Sequence, residues 1–458
     1  MSVRAVVLAA GKGKRMNSDL PKVLFEVTGR PLVSWVVDAV RAAGVDDITV
    51  VVGHGADQVV EVLPEGVQVA LQEEQLGTGH AVMTALAAMG DVSGDTVLVV
   101  PGDTPLLQAA GLRGLLDAHA GADATLLTAH MPDPTGYGRV IRDGDRVVAI
   151  VEERDATDEQ RAVSEVAVST YAFEGPALAA ALAKIGNDNT QGEYYLTDAI
   201  ASIAADGVVR AMTGADAAEV QGVNSLGQLA AVNATMRDRI VAGWMANGVW
   251  VQDPARTYLD AGVTLEPGAR LYADVHLEGS TSVATGATVG PGVFAVDSTI
   301  GPRARVWYSV LRSAEVGEDT EVGPYASLRP GTVMEAGSKI GTFVETKATT
   351  VGKRSKVPHL SYMGDTVIGE DSNIGAGSIT CNYDGYHKHA TVIGDRVRIG
   401  SDTMLVAPVE VGDDGWTGAG SVISRDVPPG ALGVERSAQR EVPGYAARRA
   451  RQAEKKDD

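Results

Sequence analysis

The sequence predicts a chain of two architectures: an α/β first part with a mainly parallel sheet wrapped by helices, and a second part wound as a parallel β-helix. Three observations carry this. Short β-branched runs alternate with helix-spaced stretches through about the first 225 residues. An aliphatic residue then recurs every sixth position over roughly 150 residues. Between the two lies a proline-free stretch with apolar residues three or four apart.

In chain order, "RAVVLAA" is an apolar run ending at a glycine loop, and "PLVSWVVDAVRAAG" follows with helical spacing and a glycine stop. "DITVVVG" and "DTVLVVPGD" are further strand-like runs, separated by the alanine-rich helical stretch "GTGHAVMTALAAMG". Ligands of such sheets bind at the carboxyl ends of strands, which directs attention to the loops after Ala10 and Pro101. From 225 to about 249, Leu229, Val232, Met236, Ile240 and Trp244 predict a connecting helix, broken by "DPARTYLD". The six-residue beat begins at Leu259, Leu265, Leu271, Leu277, Val283 and Val289 and returns at Ile300 and Val306. It continues through Val316, Val322, Leu328, Met334 and Ile340, then Val351, Val357, Ile368, Ile374, Ile393, Ile399, Leu405 and Val411. Each short strand is expected to point one aliphatic side chain into a prism while small or acidic residues make the corners. The beat reads as broken twice, at "KVPHLSYMGD" and at "TCNYDGYHKHA". The predicted organisation is residues 1–226, a linker helix 227–250, the β-helix 251–437 and a tail 438–458.

Composition narrows the function. Lys and Arg number 39 against 59 Asp and Glu, a net charge of −20, which argues against non-specific nucleic-acid binding. Apolar runs such as 97–100 are too short to span a bilayer, no signal peptide is read at the N-terminus, and one cysteine, Cys381, fits a reducing cytoplasm. The basic stretch 448–456 reads as a solvated terminal helix or frayed end.

Two sets of residues carry chemistry. "VLAAGKGKRM" puts Gly11 and Gly13 after the first strand beside Lys12, Lys14 and Arg15, a combination that lets backbone N–H groups and cations meet phosphates. Lys22 in "LPKVL" adds a cation, and Asp103 in "VPGDTPLL" is a carboxylate placed to hold Mg²⁺, or to cap a helix. In the second half, His359 and Tyr362 lie in one break, and Asn382, Tyr383 and Lys388 in the other. Arg329 and Lys347 put cations where a repeat prefers small corners. An imidazole, amides and cations brought together suit a group transfer that needs a base, oxyanion donors and a clamp for an anionic substrate. Cys381 as an acyl carrier, or zinc on His359, His387 and His389, are the alternative readings of the same residues.

"LAAGKGKRM", "LPKVL", "EQLGTGHA", "GDTPL", "TGYGRV", "QGEYYLTD" and "GVNS" occur in the order found in sugar-1-phosphate nucleotidylyltransferases. With "PHLSYMGD" and "GAGSITCNYDG", nearly the whole chain except its tail resembles the bifunctional N-acetylglucosamine-1-phosphate uridyltransferase/glucosamine-1-phosphate N-acetyltransferase family. The resemblance implies a Rossmann-like nucleotidyltransferase domain, a left-handed β-helix, a homotrimer, Mg²⁺, and UTP and acetyl-CoA as co-substrates. It places Leu8, Ala9, Ala10 and Gly11 at the nucleotide, with Gln72, Gly77 and Thr78 on the uracil and Arg15 and Lys22 on phosphates. Asp103 and Asn224 would hold the metal, and Gly138 and Glu152 would face the sugar. On the prism it implies His359 as general base, with Arg329, Lys347, Tyr362, Asn373 and Lys388 around the amino-sugar phosphate. Asn382 and Tyr383 would contact the sugar and, with Ala376, Ser401, Ala419 and Arg436, line the acetyl-CoA site. The sequence departs from the family pattern at Lys14, where threonine is usual, at Ala167, where an asparagine binds the sugar, and at Ser169, where glycine is usual. These departures predict weakened sugar affinity in the first half. An acetyltransferase with an impaired uridyltransferase domain, a monofunctional nucleotidylyltransferase with a structural β-helix, and a non-catalytic scaffold are the alternatives.

Overall fold

The structure is a computed structural model that describes residues 2–213 and 219–454, apart from the side chains of Lys14 and Glu454. The chain divides into two compact units, Met1–Ile240 and Val241–Asp458.

In the first unit the strand Ser2–Leu8 lies at the middle of the sheet, parallel to Asp47–Val52 on one side and Asp95–Pro101 on the other. Alternate side chains of this strand feed two cores: Val6 joins the layer with Val82, Phe173 and Ile200, while Ala5 and Val7 join the layer with Val36, Val40 and Leu115. The helices Leu32–Ala42 and Thr78–Met89 fall where the sequence predicts them. Both sheet faces are thus covered, as a parallel sheet requires. The strand Glu165–Glu174 runs antiparallel between Asp95–Pro101 and Ala124–His130, and also pairs with the hairpin of Gly138–Asp143 and Arg146–Val151. Leu8 sits opposite Pro101, and Gly102 donates its N–H to Leu8 O at 2.9 Å. The loops after the two strands are therefore side by side. The helix Leu226–Ala246 packs Val232 and Met236 against Met16, Val27, Leu32 and Leu106.

In the second unit most strands pair in parallel with the third strand after them: Thr257–Leu259 with Val275–Glu278, Thr264–Leu265 with Ser282–Val283, and Arg270–Leu271 with Thr288–Val289. Three strands per coil make a triangular prism, a left-handed parallel β-helix. Every aliphatic residue of the six-residue beat is buried in it.

The first expected break is not a break in the fold. Lys356–His359 and Tyr362–Ile368 are strands paired in register with the coils on either side. The buried Val357 and Met363, six residues apart, carry the beat through this stretch, and on the coils around it threonines take inward positions, where Thr346 Oγ1 meets Thr332 Oγ1 at 3.0 Å and Thr380 Oγ1 accepts the Gly364 N–H at 2.8 Å. The second break is real. The chain leaves the ladder after Ile379–Cys381 and rejoins it at Thr391–Ile393. The tail carries an exposed helix, Tyr445–Glu454. Among the described residues no helix is long and apolar enough to cross a membrane.

Candidate active sites

At the carboxyl end of the first sheet, Ala9 and Ala10 are buried under the loop and Gly11 is exposed. Arg15 is exposed, and the side chain of Lys14 lies outside the described residues. Gln72 is buried, donates Nε2 to Gly77 O at 3.2 Å and meets His80 Nδ1 at 2.9 Å. Gly77 has φ 107°, and a Cβ there would sit 2.6 Å from Tyr194 O, so this turn requires glycine. Thr78 Oγ1 accepts the Leu196 N–H at 3.0 Å, tying the turn to the following helix. The group Gln72, Gly77 and Thr78 is thus one rigid edge of the cleft.

The Lys22 ammonium contacts the Asp103 carboxylate and donates to Asn224 Oδ1 at 3.1 Å. The ends of Asp103 and Asn224 converge beside Gly222, where an added Cβ would lie 3.6 to 3.8 Å from both. Two oxygen donors facing one small volume that already accommodates a cation suit a hard divalent ion completed by water and phosphate oxygens. The residues fit Mg²⁺, with Lys22 as the protein's own cation at the same place.

Gly138 pairs with Ala167, and a Cβ on Gly138 would lie 3.8 Å from the Glu152 carboxyl. Burial pushes the Glu152 carboxyl above its ordinary range, against the Thr197 hydroxyl that donates to it at 3.0 Å and with nearby acidic charges. Ala167 is buried in the core layer of Phe173 and Ile200. These residues form one wall.

The prism holds the second constellation. Arg329, Lys347 and Gly364 follow one another on successive coils: Lys347 pairs with Gly364, and Arg329 donates its N–H to Thr346 O. Lys347 Nζ meets Asp365 Oδ1 at 2.8 Å, and Asn382 Nδ2 meets Asp365 Oδ2 at 2.5 Å. Arg329 is paired with Glu345 at 2.9 Å. A Cβ on Gly364 would overlap Tyr362 Oη and Asn382 Nδ2, so glycine here lets those two groups close over the strand. Burial acts to raise the Asp365 carboxyl, but Lys347, Asn382 and then Lys388 outweigh it and hold it low. The Lys347 ammonium beside Lys388 holds the latter below the usual lysine range, aided by Arg329. Lys347 and Lys388 flank Asp365 while Arg329 pairs with Glu345, so three cations meet two carboxylates, a surplus of positive charge that suits a phosphate. Asp365 has no place among the sequence-predicted site residues; its signal is an acid directly after Gly364 in a cation-rich region.

His359 ends its strand with the imidazole exposed and without a side-chain partner among the described residues. Its carbonyl accepts the Gly377 N–H, the Ala376 carbonyl accepts that of Asp402, and the Ser401 carbonyl accepts that of Gly420. Ala419 O then accepts from Arg436 Nη1 at 2.8 Å. His359, Ala376, Ser401, Ala419 and Arg436 therefore form one row along one prism corner. Asn373 lies on the adjoining face, between Lys356 and Arg398.

The insertion is a self-bonded hairpin. Tyr383 bridges to Lys388, and Asp384 accepts the N–H groups of Tyr386 and His387 at 2.8 and 2.6 Å and meets His389 Nε2 at 2.7 Å. Backbone donation from His387, then His389 and Tyr386, holds the Asp384 carboxyl at about 2. His389 and Asp384 thus shape the turn that carries Lys388 and Asn382. Among the described residues no group of three His, Cys, Asp or Glu is arranged to hold a metal.

A sheet whose strand ends present a phosphate-type loop and a carboxylate–amide pair, followed in the chain by a β-helix with its own polar site, defines a two-site transferase. Residues 5–143 match the MobA-like NTP transferase domain. The chain is 51% identical over 447 residues to the Bifunctional protein GlmU of Kineococcus radiotolerans, covering 96% of this chain and 91% of that protein. It is 48% identical to the protein of that name from Streptomyces avermitilis (97% and 94% covered) and 45% identical to that from Desulfitobacterium hafniense strain Y51 (96% and 98%). The chain belongs to the bifunctional GlmU family.

Proposed function

We propose that the chain acetylates glucosamine-1-phosphate with acetyl-CoA on the prism and then transfers uridylyl from UTP to N-acetylglucosamine-1-phosphate in the α/β unit, releasing pyrophosphate and forming UDP-N-acetylglucosamine. The reading rests above all on the convergence of an unpartnered imidazole, a three-cation cluster and a row of small corner residues on one β-helix. His359 takes the proton from the amine as nitrogen attacks the thioester carbonyl, and the CoA thiolate leaves. Arg329, Lys347 and Lys388 clamp the substrate phosphate, while Tyr362 and Asn382 fix the sugar beside it. Tyr383 and Asn373 complete the sugar side. The coenzyme runs along Ala376, Ser401 and Ala419 toward Arg436. In the first unit a sugar-phosphate oxygen attacks the α-phosphate of UTP; Leu8 to Gly11 cradle the nucleotide, Gln72, Gly77 and Thr78 hold the base, and Arg15 and Lys22 offset phosphate charge. Gly138 and Glu152 hold the sugar. Mg²⁺ on Asp103 and Asn224, when bound, neutralises the transferring phosphates.

A homotrimer acting in the cytoplasm completes the reading. Support for assembly comes from the same prism corner, where Tyr308, Tyr325, Phe343 and Leu360 stand 45, 57, 59 and 62% exposed before the row of small residues begins. A convex corner offers a coenzyme one wall, and a second copy supplies another. The test assays both half-reactions separately on purified protein. CoA release and pyrophosphate release together support the proposal; pyrophosphate release alone would leave the β-helix a spacer.

A further inference from the structure

Ser169 stands out in the first unit. It lies in the left-handed region, at φ 56°, where a serine is strained, and it does so inside the strand Glu165–Glu174. Pairing with the neighbouring strand shifts register between Ala167 and Tyr171, so the intervening residues bulge. Val168 and Thr170 turn inward, while Ser169 is exposed. A bulge re-aims a side chain, and here it lies two residues from Ala167, which pairs with Gly138 beside Glu152. Behind it the Tyr171 phenol is wholly buried; burial, then the Glu152 charge, push its ionisation up, against a hydrogen bond with Ser169. The phenol therefore stays neutral beside the serine.

We propose that Ser169 is a specificity-determining residue of the sugar subsite, its hydroxyl hydrogen-bonding a hydroxyl or acylamino group of the sugar-1-phosphate, with Tyr171 as its positioning residue. This rests on the assignment of Gly138 and Glu152 to that subsite. Backbone strain is retained here because the bulge presents a polar group that Ala167 cannot supply.

The test is steady-state pyrophosphate release with each substrate varied in turn, alongside melting temperature. Ser169→Ala is expected to raise the KM for N-acetylglucosamine-1-phosphate about tenfold, the size of one lost hydrogen bond to a ligand, and to leave the KM for UTP and the Tm unchanged. Ser169→Gly is expected to raise the same KM while raising the Tm, because glycine relieves the backbone. Ser169→Asn, which tolerates this conformation, should restore the sugar KM to within about a factor of three. Tyr171→Phe should fall between. An unchanged sugar KM in Ser169→Ala, or equal rises for both substrates, overturns the proposal. A wild-type chain that releases CoA but no pyrophosphate overturns the subsite assignment itself, and the role of Ser169 with it.

Discussion

Lys22 holds the place that a divalent cation would take between Asp103 and Asn224. Two cations cannot share that volume, so a metal held by Asp103 and Asn224 would require the Lys22 ammonium to move to the phosphates of a bound nucleotide. Lys22→Met is therefore expected to bind Mn²⁺ more tightly than wild type without nucleotide, read by paramagnetic broadening, while pyrophosphate release falls by roughly two orders of magnitude for loss of a phosphate-neutralising group. Unchanged Mn²⁺ binding would contradict the competition. At the prism, His359→Ala should lower CoA release by roughly 10²–10⁴-fold, the range for a lost general base, and leave pyrophosphate release intact. These residues are legible in the sequence because each interrupts a local expectation: a cation after a proline, a histidine in an aliphatic repeat. Asp365 is not, because an acid is an ordinary corner residue in this repeat, as Asp371 and Asp402 illustrate. Only the packing of Lys347, Lys388 and Asn382 around it sets it apart.

Among the elements, the hairpin of the insertion rests on one carboxylate. Asp384 is held at about 2, below its ordinary 3.8, so its contribution to the turn is complete above about pH 4 and is lost as pH falls through 2. The amides of Tyr386 and His387 should exchange slowly with solvent at pH 5 and progressively faster below pH 4. Asp384→Ala should show the fast behaviour at pH 7 and raise the KM for glucosamine-1-phosphate, since Lys388 loses its anchor. Slow exchange in that variant would remove Asp384 from this role. The β-helix itself was readable from spacing alone, since one inward aliphatic residue per face fixes the period. The beat in fact runs on through "KVPHLSYMGD", where Val357 and Met363 point inward six residues apart, and on the coils around it inward threonines, whose hydroxyls find partners inside the prism, serve where a methyl group would. Hydrophobic periodicity cannot see a polar residue satisfied by its neighbours. The hairpin, by contrast, leaves no repeat to follow and is visible as a gap.

For the whole molecule, one corner of the prism changes character along its length. Tyr308, Tyr325, Phe343 and Leu360 all adopt positive φ, and the ladder continues at the same corner with Gly377, Asp402 and Gly420. A bulky residue in that conformation costs roughly 1–2 kcal/mol relative to the right-handed region, so four in succession are a burden on an isolated prism. The rings touch one another, Tyr325 stacked on Phe343 at 5.5 Å and Tyr308 tilted against Tyr325 at 5.7 Å, yet stay largely exposed. Beside them a groove is lined by His276, Phe294 and Val310. Contiguous exposed apolar surface of this kind marks an interaction site, and a second copy presents rings of the same shape to fill it. In the proposed assembly the large residues would form the contact between copies, and the small residues beyond would leave a slot for the coenzyme. Tyr325→Glu combined with Phe343→Glu should convert the assembly to monomers by light scattering. The variant should keep pyrophosphate release within about a factor of three, because that site is built from the first unit alone and loses no transition-state contact. It should lose CoA release by at least about tenfold, as a coenzyme held against one wall is bound through fewer contacts. Monomers with full CoA release would mean that one chain builds the whole acetyl site, and the corner ladder would then serve assembly alone.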